Sequence, residues 1–94
     1  MPAVARLGDR EATHCSAPFR AGHFKTVFAN RIPMSGVGHQ NTIHLVRQGK
    51  RCGRHTAALR GGSRSVFAEG IRIGRVGDPT CTSVIQGSPN VFSN

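Results

Sequence analysis

Val27-Phe28-Ala29-Asn30-Arg31-Ile32-Pro33-Met34-Ser35-Gly36-Val37-Gly38-His39 and Val66-Phe67-Ala68-Glu69-Gly70-Ile71-Arg72-Ile73-Gly74-Arg75-Val76-Gly77-Asp78 are two copies of one phrase in one register. A third copy is divided between the ends of the chain: it begins at Val91-Phe92-Ser93-Asn94 and continues at Met1-Pro2-Ala3-Val4-Ala5-Arg6-Leu7-Gly8-Asp9. From the Phe to the closing His or Asp is 11 positions in both intact copies, and 11 again across the junction when Asn94 is followed by Met1. Internal repeats bury their apolar faces against one another. Three copies that close therefore predict pseudo-threefold symmetry, with the N- and C-terminal half-repeats paired. A monomer of that symmetry suits the axis of a threefold partner.

Each phrase reads as a β-hairpin: β-prone Val-Phe, a turn at Ala29-Asn30-Arg31 or Ala68-Glu69-Gly70, then a short strand ending at Gly. Gly8, Gly38 and Gly77, each just before the closing residue, predict a backbone conformation that a β-carbon disfavours. With 12 Gly and 5 Pro scattered through the chain, no segment keeps a helical period for long, so the fold class is mostly β. Arg10 to Lys25 and Gln40 to Gly62 break the regularity, carry His and Cys, and are expected to be loops above the β scaffold.

Ninety-four residues make one small domain, 1–94, with a thin core and a need for some further staple. No stretch approaches the apolar length of a membrane span and the N-terminus lacks the apolar segment of a secretory signal, so the expectation is a chain made in the cytoplasm. Three cysteines, Cys15, Cys52 and Cys81, are an odd number without an export signal, which argues against a disulfide framework. Five histidines beside them point to metal instead. The net charge of +9 attracts phosphate-bearing partners or an acidic protein face, and is equally served by a solvated surface.

Candidate ligands follow the repeat. His14 is five past Asp9, His44 five past His39, and Cys81 three past Asp78. Comparable positions in three symmetric repeats converge near the axis, and His55 in the longer connection supplies a fourth ligand. The resulting His3Cys set suits tetrahedral zinc, with iron left open. Four protein ligands leave no place for water or substrate, so the expected metal is structural and the protein is not an enzyme. Cys15 adjoins His14, but neighbouring side chains on extended backbone point oppositely; His14 is the ligand and Cys15 a small buried thiol. His23 and His39 read as surface or turn histidines, although His39 and Cys15 both stay open as substitute ligands.

Pro2-Ala3-Val4-Ala5-Arg6-Leu7-Gly8-Asp9, Arg75-Val76-Gly77-Asp78-Pro79 and Gln86-Gly87-Ser88-Pro89-Asn90-Val91-Phe92 resemble the PAAR-repeat proteins, named for a proline-alanine-alanine-arginine motif. Pro2-Ala3-Val4-Ala5-Arg6 is that motif with one residue inserted. The resemblance spans Pro2 to the C-terminus. It implies a small cone of short strands with a metal near the apex held by three His and one Cys, which matches His14, His44, His55 and Cys81. It further implies that the base of the cone caps a homotrimeric central spike, the valine-glycine repeat protein of type VI secretion or the spike of a contractile phage tail, at one copy per trimer. The implied role is a tip that pierces the target envelope with transient membrane contact, assembled on the spike and delivered outward. No toxin extension beyond the repeats is expected. The middle copy departs most from the pattern, with His39 where the others have Asp9 and Asp78, and Arg31 at a turn position usually given to Gly.

Two other function classes fit parts of the same chain. A zinc-stabilised, basic nucleic-acid-binding module accounts for the charge and the His/Cys set, but the sequence offers no recognition helix or stacking platform, so nucleic acid is not the expected partner. A zinc hydrolase would need one of the four ligands replaced by water. Whether the machine is a phage tail or a secretion system stays open.

Overall fold

The structure, a computed structural model, describes residues 1–94 and contains no helix. Two-residue strands β1 (Phe28–Ala29) and β2 (Ile32–Pro33) form one hairpin, and β5 (Phe67–Ala68) and β6 (Ile71–Arg72) form its repeat mate. The third copy closes across the termini as an antiparallel bridge from Ala3 to Phe92. Pairing in the same register, Phe28 with Pro33, Phe67 with Arg72 and Phe92 with Ala3, makes the three copies equivalent.

The expected symmetry is written in the backbone hydrogen bonds. Ala5 N–H donates to the Gly74 carbonyl (2.9 Å), Gly74 to Ser35 (2.8 Å), and Ser35 back to Ala5 (3.0 Å), which closes a ring about the axis. Each equivalent hairpin is tied in the same way: Met34 N–H to Val27 O, Ile73 to Val66, and, across the chain ends, Val4 to Val91 at 3.0 Å. Ser93 N–H also reaches Pro2 O at 3.0 Å, so the terminal half-repeats are joined by the bonds that the intact copies make internally. Short strands cannot satisfy their polar backbone alone. The cyclic pattern supplies the missing partners.

Gly8, Gly38 and Gly77 have φ of 84°, 89° and 95°, a region that L side chains avoid, as the repeat predicts. That turn lets the next residue fold back: Asp9 Oδ2 accepts from Arg6 N–H (2.8 Å) and Asp78 Oδ2 from Arg75 N–H (2.7 Å). In the divergent copy, His39 Nδ1 accepts from Gly36 N–H at 2.9 Å, so an imidazole makes the bond that the carboxylates make elsewhere. Asn30 and Arg31 both adopt positive φ, as Glu69 and Gly70 do, so the Arg31 hairpin keeps the turn of its mate despite its side chain.

The apolar core is thin and follows the repeat. Val4, Met34 and Ile73 are equivalent and pack with Phe24, Ala29 and Ala68. A second cluster joins Ala5, Leu59 and Val84, against which Val37 and Val76 rest. The backbone bonds Gly38 to Leu59, Gly77 to Val84 and Gly8 to Arg20 show that Arg20 holds the third position of the Leu59/Val84 layer. An arginine thus occupies a core site.

One connection departs from expectation. Within 40–62, residues His44–Gln48 (β3) and Arg51–His55 (β4) form the longest hairpin of the molecule rather than a loop. Gly49 and Lys50 are its two-residue turn, with Gly49 at φ 63° in the first central place, the position glycine takes in a primed hairpin turn. The segment 10–25 does stay irregular, held by isolated bridges such as Arg10 to Phe19. The molecule is elongated, 40 × 23 × 22 Å.

Candidate metal centre

Past the closing residue of each copy, side chains from the three copies cross over to meet one another at two levels. The first crossing carries Glu11, Asn41 and Thr80, each two positions after Asp9, His39 and Asp78. Glu11 Oε1 accepts from Asn41 Nδ2 (3.0 Å) and Thr80 Oγ1 (2.7 Å), while Oε2 pairs with Arg20 at 3.0 Å. Arg20 spends its other donors on Ser35 Oγ and the His39 carbonyl. Both charged side chains are fully buried. Burial pushes the Arg20 pKa down, opposed by the hydrogen bond and the charge of Glu11. This polar plug was not anticipated from the sequence, although the shared offset from the closing residues was the signal for it.

The second crossing brings together His14, His44, His55 and Cys81, the four ligands expected. Their ligand atoms all lie within 4.8 Å of one another. His44 begins β3 and His55 ends β4, and because they are paired across the hairpin their rings meet, with Nε2 atoms 2.9 Å apart. Cys81 Sγ is 3.3 Å from His44 Nε2. The His14 and His44 rings stack at 5.4 Å with an interplanar angle of 8°.

The donor chemistry fits a cation. The Thr42 carbonyl, 2.8 Å from His44 Nδ1, accepts its proton and leaves the Nε2 lone pair aimed into the cluster. His14 Nε2 is buried with no hydrogen-bond partner, the kind of orphan a metal bond satisfies. For zinc bonds of about 2.0–2.3 Å, ligand atoms at tetrahedral corners are about 3.3–3.7 Å apart, a spacing the observed contacts straddle. Desolvation, then repulsion from His44 and His14, holds His55 below the ordinary imidazole pKa and favours its neutral, ligating form. Asn41 Nδ2 also lies 3.5 Å from Cys81 Sγ, so the polar plug touches a candidate ligand directly. The cluster can hold a metal ion.

His39 and His23 stay outside it. His39 closes its turn, and His23 is exposed with Nδ1 against the Phe24 carbonyl. Cys15 is corrected more sharply: it is neither buried nor a free thiol, but exposed and bonded to Cys52. The alternation that turns His14 inward turns Cys15 outward, as expected. What the odd cysteine count concealed is that Cys15 and Ser16 N–H groups both bond to Leu45 O on β3, which lays this segment along the hairpin. Cys52 on the adjoining strand then sits 6.0 Å away between Cα atoms, within bonding range. Cys81 is the one free cysteine.

No protein-family model matches the chain, and no curated protein matches it either.

Proposed function

We propose that this protein is the tip of a trimeric spike in a contractile injection machine, with zinc at the His14/His44/His55/Cys81 centre bracing its apex. The observation that carries the reading is a triangle of exposed aromatics. Phe28, Phe67 and Phe92 are symmetry mates, and they are 55%, 55% and 49% exposed although they are large apolar side chains. The bonded layers run in chain order from these hairpins through the Ala5/Ser35/Gly74 ring to the ligand cluster, so the triangle and the metal centre lie at opposite ends. Three equivalent apolar residues around an axis match a partner with one contact per subunit, and unpaired edges of two-residue strands beside them suit continuation of a β structure. The resemblance of Pro2–Asp9, Arg75–Pro79 and Gln86–Phe92 to the PAAR repeat supports the same reading.

Zinc bound by four protein ligands would cross-link β3, β4 and the segments around His14 and Cys81, so that force on the apex meets a closed set of bonds. The chain would be made in the cytoplasm and carried outward, where an oxidising exterior preserves the Cys15–Cys52 bridge. A nucleic-acid module is the weaker reading, because Phe28, Phe67 and Phe92 belong to the repeat hairpins and the other exposed Phe, Phe19, is held beside Thr42 at the root of the basic β3–β4 hairpin, so none is interleaved with its basic residues. The test is co-purification with trimeric spike from cells that make a contractile machine. The native chain should retain the spike, and Phe28→Ser/Phe67→Ser/Phe92→Ser should lose it with an unchanged melting curve. Retention by the triple variant would overturn the docking surface.

A further inference from the structure

The protein has four carboxylate side chains and every one is committed. Asp9, Glu11 and Asp78 pair with Arg6, Arg20 and Arg75. Glu69 accepts from the Lys25 and Thr26 N–H groups and from Thr26 Oγ1, holding the turn that leads into the Val27 copy as the Ser63 and Ser88 hydroxyls hold the turns that lead into Val66 and Val91. Of 13 Lys and Arg side chains, the remaining ten have no carboxylate partner. Four of these ten, Arg47, Lys50, Arg51 and Arg54, lie on the β3–β4 hairpin, all exposed, and no acidic residue falls between Ile43 and His55.

The hairpin is also placed to meet something. It starts at the metal centre with the His44–His55 pair and runs on for five residues of strand, about 16 Å, away from the Phe triangle. Leu45 opposes Arg54 and Arg47 opposes Cys52, so one face carries an apolar residue, two arginines and the disulfide that ties the hairpin to the body. Ile43, at the root of β3, is 61% exposed and Leu45 37%. A cationic prong with apolar shoulders, at one end of an elongated body, is complementary to a planar anionic interface: basic residues meet phosphate, and aliphatic groups enter the boundary below. It is poorly suited to nucleic acid, since no Phe lies on the hairpin to stack on a base.

We propose that the β3–β4 hairpin docks on an anionic phospholipid surface, with Arg47, Lys50, Arg51 and Arg54 against headgroup phosphates and Ile43 and Leu45 in the interface beside them. This deepens the tip reading and rests on it for its setting. Each basic residue near such a surface strengthens partitioning about five-fold, so loss of all four should weaken it by roughly several hundred-fold.

The test is sedimentation of the full chain with vesicles of phosphatidylcholine alone or mixed with phosphatidylglycerol. The native protein should sediment with the mixed vesicles and not with phosphatidylcholine. Arg47→Gln/Lys50→Gln/Arg51→Gln/Arg54→Gln should lose most of that binding, while Lys25→Gln/Arg31→Gln/Arg64→Gln/Arg72→Gln, equal in net charge, should keep most of it. The single variants Arg47→Gln and Lys50→Gln, each about five-fold weaker, carry the test if the quadruple variant does not fold. Phe28→Ser/Phe67→Ser/Phe92→Ser should bind vesicles normally, which separates failure here from failure of spike docking. Equal loss in both quadruple variants, equal binding to both vesicle types or to neither, or tighter binding to duplex DNA than to mixed vesicles at the same salt would overturn the proposal.

Discussion

Glu11→Gln should be among the most damaging single changes available to this chain. The carboxylate accepts from Asn41 and Thr80 through Oε1 and from Arg20 through Oε2, with both ion-pair partners fully shielded from water. Glutamine keeps one acceptor oxygen for Asn41 and Thr80 but turns an NH2 group toward the Arg20 guanidinium. Donor then faces donor, and a buried cation loses its counter-charge. Breaking such a pair costs about 3–5 kcal/mol, a large share of the roughly 5–15 kcal/mol that holds a small domain together. The melting temperature should fall by roughly 12–40 °C. Arg20→Met should also destabilise, since it strands the carboxylate. The double variant should cost less than the two singles added together, because the methionine fills a position that Leu59 and Val84 fill in the other copies. Denaturant unfolding of the three variants supplies the cycle. A Glu11→Gln loss below about 1 kcal/mol, the range of a surface pair, or strict additivity of the two changes would refute the reasoning.

Three further outcomes follow from the geometry. If the His14/His44/His55/Cys81 group holds the proposed structural zinc, a strong chelator should remove on the order of 10 kcal/mol and leave that end of the molecule unfolded or greatly weakened; an unchanged melting curve would count against a structural ion. Cys15→Ser/Cys52→Ser opens a crosslink between residues 37 apart, worth about 4 kcal/mol by loop-closure entropy, and its melting curve should match that of the reduced native protein. Burial, then repulsion from Arg20 and His23, lowers the His39 pKa below its usual 6.5, with Glu69 opposing. The unfolded chain therefore takes up that proton first, so this contribution is complete above pH 6.5 and is lost as pH falls toward the folded value. His39→Asp, which installs the residue of the other two copies, should flatten stability just below pH 6.5, and an unaltered pH profile would show that His39 does not titrate as described.

The circular repeat was legible because closure depends on spacing alone: the Val-Phe start, the turn glycine and the closing residue keep fixed intervals even across the chain ends. The ligand set was legible for the same reason, since symmetry carries His14, His44 and Cys81 to one axis without any local motif. The disulfide was not, because Cys15 and Cys52 become neighbours only once β3 and β4 pair and the His14 segment lies along Leu45. That hairpin had a usable signal, Gly49-Lys50 between two Arg-bearing runs, but neither run alternates cleanly enough between polar and apolar residues to read as a strand. Arg20 was hidden by its charge. Only the packed structure shows that Glu11 neutralises it in a layer otherwise built from Leu59 and Val84.

Threefold closure, the metal centre and the aromatic triangle make sense together if one chain sits on the axis of three. Native mass spectrometry of the chain with the proposed trimeric spike measures this directly. The predicted mass is three spike subunits, one copy of this chain and one zinc ion. Three copies of the chain per trimer would contradict the symmetry, and one copy without metal would contradict the braced apex.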